Sequence, residues 1–234
     1  METTITLNID GTICTAKPEQ TILQAALDNG IYIPHLCHYE GLKPAGACRL
    51  CSVKAAGRYM AACHTPVNDG MIIENMTPEL EDMRKAIIEM LFVEGSHLCP
   101  SCEKSGNCEL QAMGYRYRML VPRFPYLWPE KKIDASSSKI IHDAGRCIEC
   151  KRCVRGVATK SGFSFFNLIN RGPETRIKVD ATTISEISDK QAERAMNICP
   201  VGAILRKEVG FAQPVGTRKY DTAPIGDGDS ILNK

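Results

Sequence analysis

The sequence predicts an α+β fold of small sheets crossed by short helices, and three observations carry that expectation. The chain opens through apolar alternation, a turn and a capped helix in β-β-α order. One strong helical stripe follows, and beyond it lies a second cysteine-rich unit with a short capped helix.

Residues 3–10, TTITLNID, place Ile5, Leu7 and Ile9 on one face of a half-buried strand. Asp10-Gly11 then turns the chain into TICTAK, a hairpin signal. Thr21-x-x-Gln24 is a capping box opening a helix through Leu27, with Gly30 at its end. After Pro34 and a cysteine-rich loop, CSVKAAG, RYMAACHTPV and GMIIEN read as three short strands, so a small sheet with one helix across it is expected. Thr77-Pro78 starts the next helix, because proline suits the first helical position. Its buried stripe is expected at Leu80, Met83, Ile87 and Met90/Leu91, and it stops at Glu94-Gly95. Residues 112–135 show no periodicity and are expected as a linker or a packed irregular arm. In the unit from about residue 140 to 209, Ser188-x-x-Gln191 caps a short helix leading to Cys199-Pro200. From about Phe211 the chain is polar and Gly/Pro-rich, more an arm than a domain. The expected divisions are 1–77, 78–117, a linker at 118–137, 138–210, and an arm at 211–234.

Composition narrows the function. The 234 residues are 44% apolar with a net charge of +2 and no long basic run, which argues against nucleic acid or an anionic membrane as partner. METTITLNID has neither a basic start nor an apolar h-region, and no apolar run approaches the ~20 residues that span a bilayer, so a cytoplasmic protein is expected. The departure from background is 12 cysteines. Without an oxidising compartment they read as metal ligands rather than disulfides.

They fall into three sets. Cys37, Cys48, Cys51 and Cys63 are spaced C-x10-C-x2-C-x11-C, with Gly46 and Gly57 permitting close backbone approach. The set shares its middle pair with plant-type [2Fe–2S] ferredoxins and lengthens the first gap; four cysteines also suit zinc. His35, His38 and His64 lie beside it and read as ordinary loop histidines, since four cysteines already close the site. Cys147, Cys150, Cys153 and the distant Cys199-Pro200 carry the parts of the bacterial [4Fe–4S] motif. Cysteines at every third position favour a cubane over tetrahedral zinc. Between them, EGSHLCPSCEKSGNCELQ (94–111) offers only Cys99, Cys102 and Cys108. Cys14 is the one cysteine left, and its place in a strand reads as structural. His97 is therefore the preferred fourth ligand, against a helix-terminal cation or an open iron site.

The order of these sets, on PHLCHYEGLKPAGACRLCSV, HLCPSCEKSGNCELQ, GRCIECKRCVR and NICPVGAI, resembles the N-terminal iron–sulfur region of complex I's large iron–sulfur subunit and the accessory region of iron-only hydrogenases. The likeness covers about residues 1–210. A chain of this length ending PVGTRKYDTAPIG is most similar to small diaphorase subunits of cytoplasmic NAD-reducing [NiFe] hydrogenases. The larger family members place three residues between the histidine and the first cysteine, whereas here only Leu98 intervenes and Gly95 holds the family's histidine position.

The resemblance implies an N-terminal β-grasp [2Fe–2S] ferredoxin-like domain, a helical segment with a histidine-plus-three-cysteine cluster, and a ferredoxin-like [4Fe–4S] domain. It implies one [2Fe–2S] and two [4Fe–4S] clusters. It also implies an FMN/NAD-binding diaphorase partner and the small and large [NiFe] hydrogenase subunits. No G-x-G-x-x-G follows a strand and no P-loop is present, so no nucleotide site is expected in this chain. The expected role is an electron relay within an oxidoreductase. The rivals are the equivalent subunit of an NAD-dependent formate dehydrogenase or complex I-like assembly, and a zinc-stabilised interaction module.

Overall fold

The structure, a computed structural model, describes residues 4–130 and 132–227. Strands β1 (Ile5–Ile9) and β2 (Thr12–Ala16) form the expected hairpin. Asp10 and Gly11 turn it with φ of 50° and 87°, the pair of positive angles a two-residue turn demands. Helix α1 (Ile22–Asp28) carries the full Thr21–Gln24 capping box. Strands β3 (Ser52–Ala55), β4 (Arg58–Ala61) and β5 (Met71–Glu74) complete a sheet of order β2-β1-β5-β3-β4. Only the β1–β5 pairing in it is parallel.

Leu7, Ile9, Val53 and Ile73 on the sheet bury Ile22, Leu23, Ala25 and Ala26 of α1. Full burial of one such aliphatic side chain is worth about 1.5–3 kcal/mol. Cys14 sits in this core with its thiol 3.6 Å from the Thr12 carbonyl, a structural position. Gly57 differs from expectation: with Ala56 it makes the β3–β4 turn at φ of 74° and 49°, and nothing lies within 4 Å of where its Cβ would be.

Helix α2 (Pro78–Val93) begins as expected, with the Thr77 hydroxyl accepting from the Leu80 amide and Pro78 in the first turn. Its buried face is as expected at Leu80, with Ile87 and Leu91 packed against the core, and differs at Met83 and Met90. Leu80, Arg84, Ile88, Glu89 and Val93 point inward, while Met90 is 39% exposed. The reason is Arg84, which is 0% exposed. Its guanidinium donates to the carbonyls of Leu50, Ser52 and Asn75, to Asn75 Oδ1 and to Glu81, so α2 is fastened to the first sheet and the loop before β3.

Helix α3 (Glu109–Arg116) occupies part of the stretch expected to lack structure. It has only eight residues, too few for a periodic signal, yet it buries Leu110, Ala112 and Met113. The following residues lie along α2 rather than hanging free. Arg123 bonds Asp82 and the buried Glu89, the Leu127 amide donates to the Val93 carbonyl, and the Tyr126 hydroxyl donates to the Gly95 carbonyl.

The last unit contains two small antiparallel sheets. One has order β10-β7-β6, from Ile204–Arg206, Ile140–Asp143 and Ile133–Asp134. The other is the ribbon β8 (Phe166–Ile169) and β9 (Arg176–Val179). Helices α4 (Arg152–Gly156) and α5 (Asp189–Ile198) pack on them, and α5 carries the expected Ser188–Gln191 box. Phe165, Phe166, Ile198 and Ile204 share one apolar cluster with Leu36, Leu50, Ile88 and Met113, so the second core joins all three cysteine-bearing regions. Residues 211–227 fold back as an irregular arm whose Ile225 is fully buried. The expected arm continues through 228–234, outside the described residues.

Candidate metal centres

The first set comes from the loop between α1 and β3, which carries Cys37, Cys48 and Cys51, and from Cys63 just after β4. Cys37, Cys51 and Cys63 are buried and Cys48 is half-buried. The thiols are near enough to hydrogen-bond in the pairs Cys37–Cys48, Cys37–Cys63 and Cys51–Cys63. Cys48 and Cys63 hold Cys37 far below the usual thiol range, and Cys63 holds Cys51 down. The two donors are in turn pushed up by those partners and by burial. Gly46 is required here twice over: its φ is 62°, and a Cβ would lie 2.8 Å from the His64 ring.

His64 is exposed, as expected of a loop histidine, but His35 and His38 are not. Their rings pack edge-on at 5.4 Å, and His35 Nδ1 lies 2.8 Å from the Ile33 carbonyl. Burial keeps both neutral, holding His38 down at about 4.

The second set lines one small cavity. His97, Cys99, Cys102 and Cys108 surround it with Ser105, Gln111, Arg146 and Gly202. Cys99 opens a single 3-10 turn, and Cys108 is the N-cap of α3, its sulfur accepting from the Gln111 amide at 3.4 Å. Burial pushes the Cys108 thiol up to about 12. Two glycines shape the wall by leaving space. A Cβ on Gly95 would meet His97 Nε2 at 2.3 Å, and one on Gly202 would meet Cys102 Sγ at 2.5 Å. Phe92 supports the His97 ring edge-on at 5.4 Å.

The third set is gathered from both ends of its unit. Cys147, Cys150, Cys153 and Cys199 line a second cavity with His142, Ile148, Ile177 and Val201. Glu149 and Lys151 flank Cys150 with φ of 54° and 62°. Such left-handed non-glycine residues cost of order 1–3 kcal/mol each and tend to mark sites where the chain is held for a purpose. Here they lie in the turn that brings the three cysteines of CIECKRC to one cavity. Burial raises Cys150 and Cys153, and Cys199 arrives as the C-cap of α5. Among the described residues, no three His, Cys, Asp or Glu side chains close on a point suited to a single ion.

Two arginines that sequence reading did not single out, half-buried Arg155 and buried Arg152, join the sites. Arg155 donates to the Cys37 carbonyl at 2.8 Å and the Cys150 carbonyl at 3.4 Å, and also to the Lys43 carbonyl, tying the first set to the third. Arg152 makes a two-pronged ion pair with Glu109, at 2.6 and 2.7 Å, and reaches the Ile198 carbonyl. The Glu109 amide donates to the Pro200 carbonyl at 2.8 Å. Glu109 follows Cys108 and Pro200 follows Cys199, so the second and third sets share a wall. The third set is thus tied to both of the others.

Three soft-donor sets fit iron–sulfur clusters in their chemistry, since thiolate with occasional imidazole is the ligand type such clusters take. The family comparisons agree. Residues 2–78 match a 2Fe-2S iron–sulfur cluster binding domain. Residues 84–123 match the NADH-ubiquinone oxidoreductase-G iron–sulfur binding region. Residues 137–205 match the ferredoxin-like domain of NADH-quinone oxidoreductase subunit 3. Fold and sites thus define an iron–sulfur protein assembled from ferredoxin-like units. The chain is 47% identical to the gamma subunit of the NAD-reducing hydrogenase HoxS of Cupriavidus necator, over 94% of this chain and 95% of that one. A crystal structure of NAD+-reducing [NiFe]-hydrogenase in the H2-reduced state contains a chain that superposes with a TM-score of 0.90 at 37% identity, covering 98% of both. The NADH-quinone oxidoreductase G subunit of Rickettsia felis is 34% identical across 97% of this chain, which spans about a third (34%) of that longer protein. The chain belongs to the family of the NAD-reducing hydrogenase gamma subunit.

Proposed function

We infer that this chain is the electron-relay subunit of an NAD-reducing hydrogenase, carrying electrons between a [NiFe] module and an FMN/NAD diaphorase subunit in the reaction H2 + NAD+ = NADH + H+. The observation that carries this reading is the group of three thiol-lined sites held together by Arg155 and the Arg152–Glu109 pair.

The proposed ligands are Cys37, Cys48, Cys51 and Cys63 for a [2Fe–2S] cluster. His97, Cys99, Cys102 and Cys108 would hold one [4Fe–4S] cluster, and Cys147, Cys150, Cys153 and Cys199 another. When bound, the clusters supply one-electron storage at each site. The chain's own part is to hold neighbouring walls in contact, exclude water from the sulfurs and set the charge around them. The corresponding units are 1–77, 78–117 and 138–210, with 118–137 and 211–234 as connecting and covering segments. No helix among the described residues is long and apolar enough to cross a membrane. A reducing cytoplasm would keep these thiols available.

Anaerobic purification tests the reading. About ten iron atoms per chain with acid-labile sulfide are expected, together with co-purifying flavoprotein and [NiFe] subunits. Colourless protein holding zinc, or a molybdenum subunit in place of the [NiFe] pair, would overturn it.

The fourth ligand of the second site has its own test. His97→Cys should keep a [4Fe–4S] cluster but lower its potential, because thiolate adds a negative charge that imidazole lacks. An unchanged potential would mean that His97 does not bind iron. Gly95→Ala should act on the same centre without replacing a ligand, since the new methyl group occupies the space of the His97 imidazole. We expect an altered EPR signal from that centre alone. A spectrum identical to the parent's would show that the ring is placed by other contacts.

A further inference from the structure

Arg146 belongs by sequence to the third set, immediately before Cys147, yet its side chain enters the wall of the second cavity. Its Nη1 lies 3.7 Å from Cys102 Sγ, within reach of an N–H···S hydrogen bond. Gly202 makes room for that meeting: a Cβ there would lie 2.5 Å from the sulfur and 3.6 Å from Arg146 Cδ. The arginine is held in place from behind. Asp143 Oδ2 forms an ion pair with Arg146 Nε at 3.1 Å, while Asp143 Oδ1 takes the Gly145 amide at 2.8 Å. The Arg146 amide itself donates to the Asp143 carbonyl. Only 21% of the Arg146 side chain and 14% of Asp143 are exposed, so water screens the pair weakly.

We propose that Arg146 sets the electron affinity of the second site, acting as a cation lent by the third site's loop and moderated by Asp143. This role rests on the second site holding a cluster, as inferred above. A cluster gains negative charge on reduction, and a cation hydrogen-bonded to one of its thiolates favours the reduced form. Asp143 works against this, since its carboxylate cancels part of the same positive charge. The cation's reach extends beyond Cys102: burial and Cys102 push the Cys99 thiol up, and Arg146 opposes them. Because Arg146 adjoins Cys147, the same side chain also couples the charge states of two neighbouring sites.

The test is an EPR-monitored redox titration of the anaerobically purified full chain, with iron and sulfide counted in each sample. Arg146→Gln should move the second centre to lower potential and shift the third less. Arg146→Lys, which keeps the charge and loses the fixed hydrogen-bond geometry, should recover part of the shift. Asp143→Asn keeps the amide contact and removes the counter-charge, so it should move the second centre upward. A full iron count with the second centre unmoved in Arg146→Gln overturns the proposal while leaving the cluster assignment intact. If Arg146→Gln loses its iron, Asp143→Asn decides: an upward shift supports the role, and no shift or a downward one rejects it. A parent protein lacking the second cluster would instead overturn the assignment on which the proposal stands.

Discussion

Stripping iron from the protein is expected to unfold the unit between residues 140 and 206 while leaving the first sheet partly ordered. The third set takes its thiols from Cys147–Cys153 and from Cys199, so a cluster there closes a long loop across the unit. Without metal, Cys150 and Cys153 are buried neutral thiols, raised by desolvation, and they offer the core little beyond weak packing. Metal binding in small metal-dependent domains is worth on the order of 10 kcal/mol, comparable to the roughly 5–15 kcal/mol of a whole domain's stability. The first sheet has its own apolar core in Leu7, Ile9, Ile22, Leu23 and Ile73, so its strands should outlast the loss. Hydrogen exchange on iron-free protein checks this. Native-like protection of β7, α5 and β10 in that sample would refute it.

The second large effect is expected at Arg152. Replacing it with methionine should destabilise the iron-loaded protein by about 3–5 kcal/mol, because Glu109 is left as a buried charge without its partner. The side chains of the pair are only 1% and 11% exposed, so water cannot take Arg152's place cheaply. Combining it with Glu109→Leu should recover most of the loss, since removing both charges also removes the unpaired one. Denaturant midpoints of the two single variants and the double variant measure this directly. An Arg152→Met midpoint equal to the parent's would show that the pair contributes nothing at this junction.

Much of the fold is legible in the sequence because local signals and tertiary packing agree. Asp10-Gly11 makes its turn, and the Thr21 and Ser188 boxes cap their helices. The cysteine spacing falls into sets that the structure brings together: a series of paired thiols at the first, and a shared cavity at each of the other two. What could not be read is the burial of charge. Arg84 occupies a core position on α2 because the carbonyls of Leu50 and Ser52 and both polar groups of Asn75 await it there, and none of those is local to the helix. This shifts the buried face away from Met83 and Met90. Likewise Arg152 and Glu109 are 43 positions apart, and nothing in CIECKRC marks one of its cations as buried. His35 and His38 are not surface residues for the same reason, since burial is decided by the unit that packs over them. Helix α3 escapes sequence reading because two turns cannot show a period.

The C-terminal arm gives the second cavity a different timetable from its ligands. His97, Cys99, Cys102 and Cys108 are all translated before the third set begins, but the surroundings that shape them come much later. Gly202 and Arg146 form part of the cavity wall, and Tyr220 holds Gly106 through its amide while Arg218 donates to the Ser105 carbonyl. The ligands of the first site are therefore all translated once β5 has emerged and those of the third only with Cys199, while contacts around the second come from the arm translated after both. The site in the middle of the sequence is thus the one whose surroundings draw on the last-translated of the described residues.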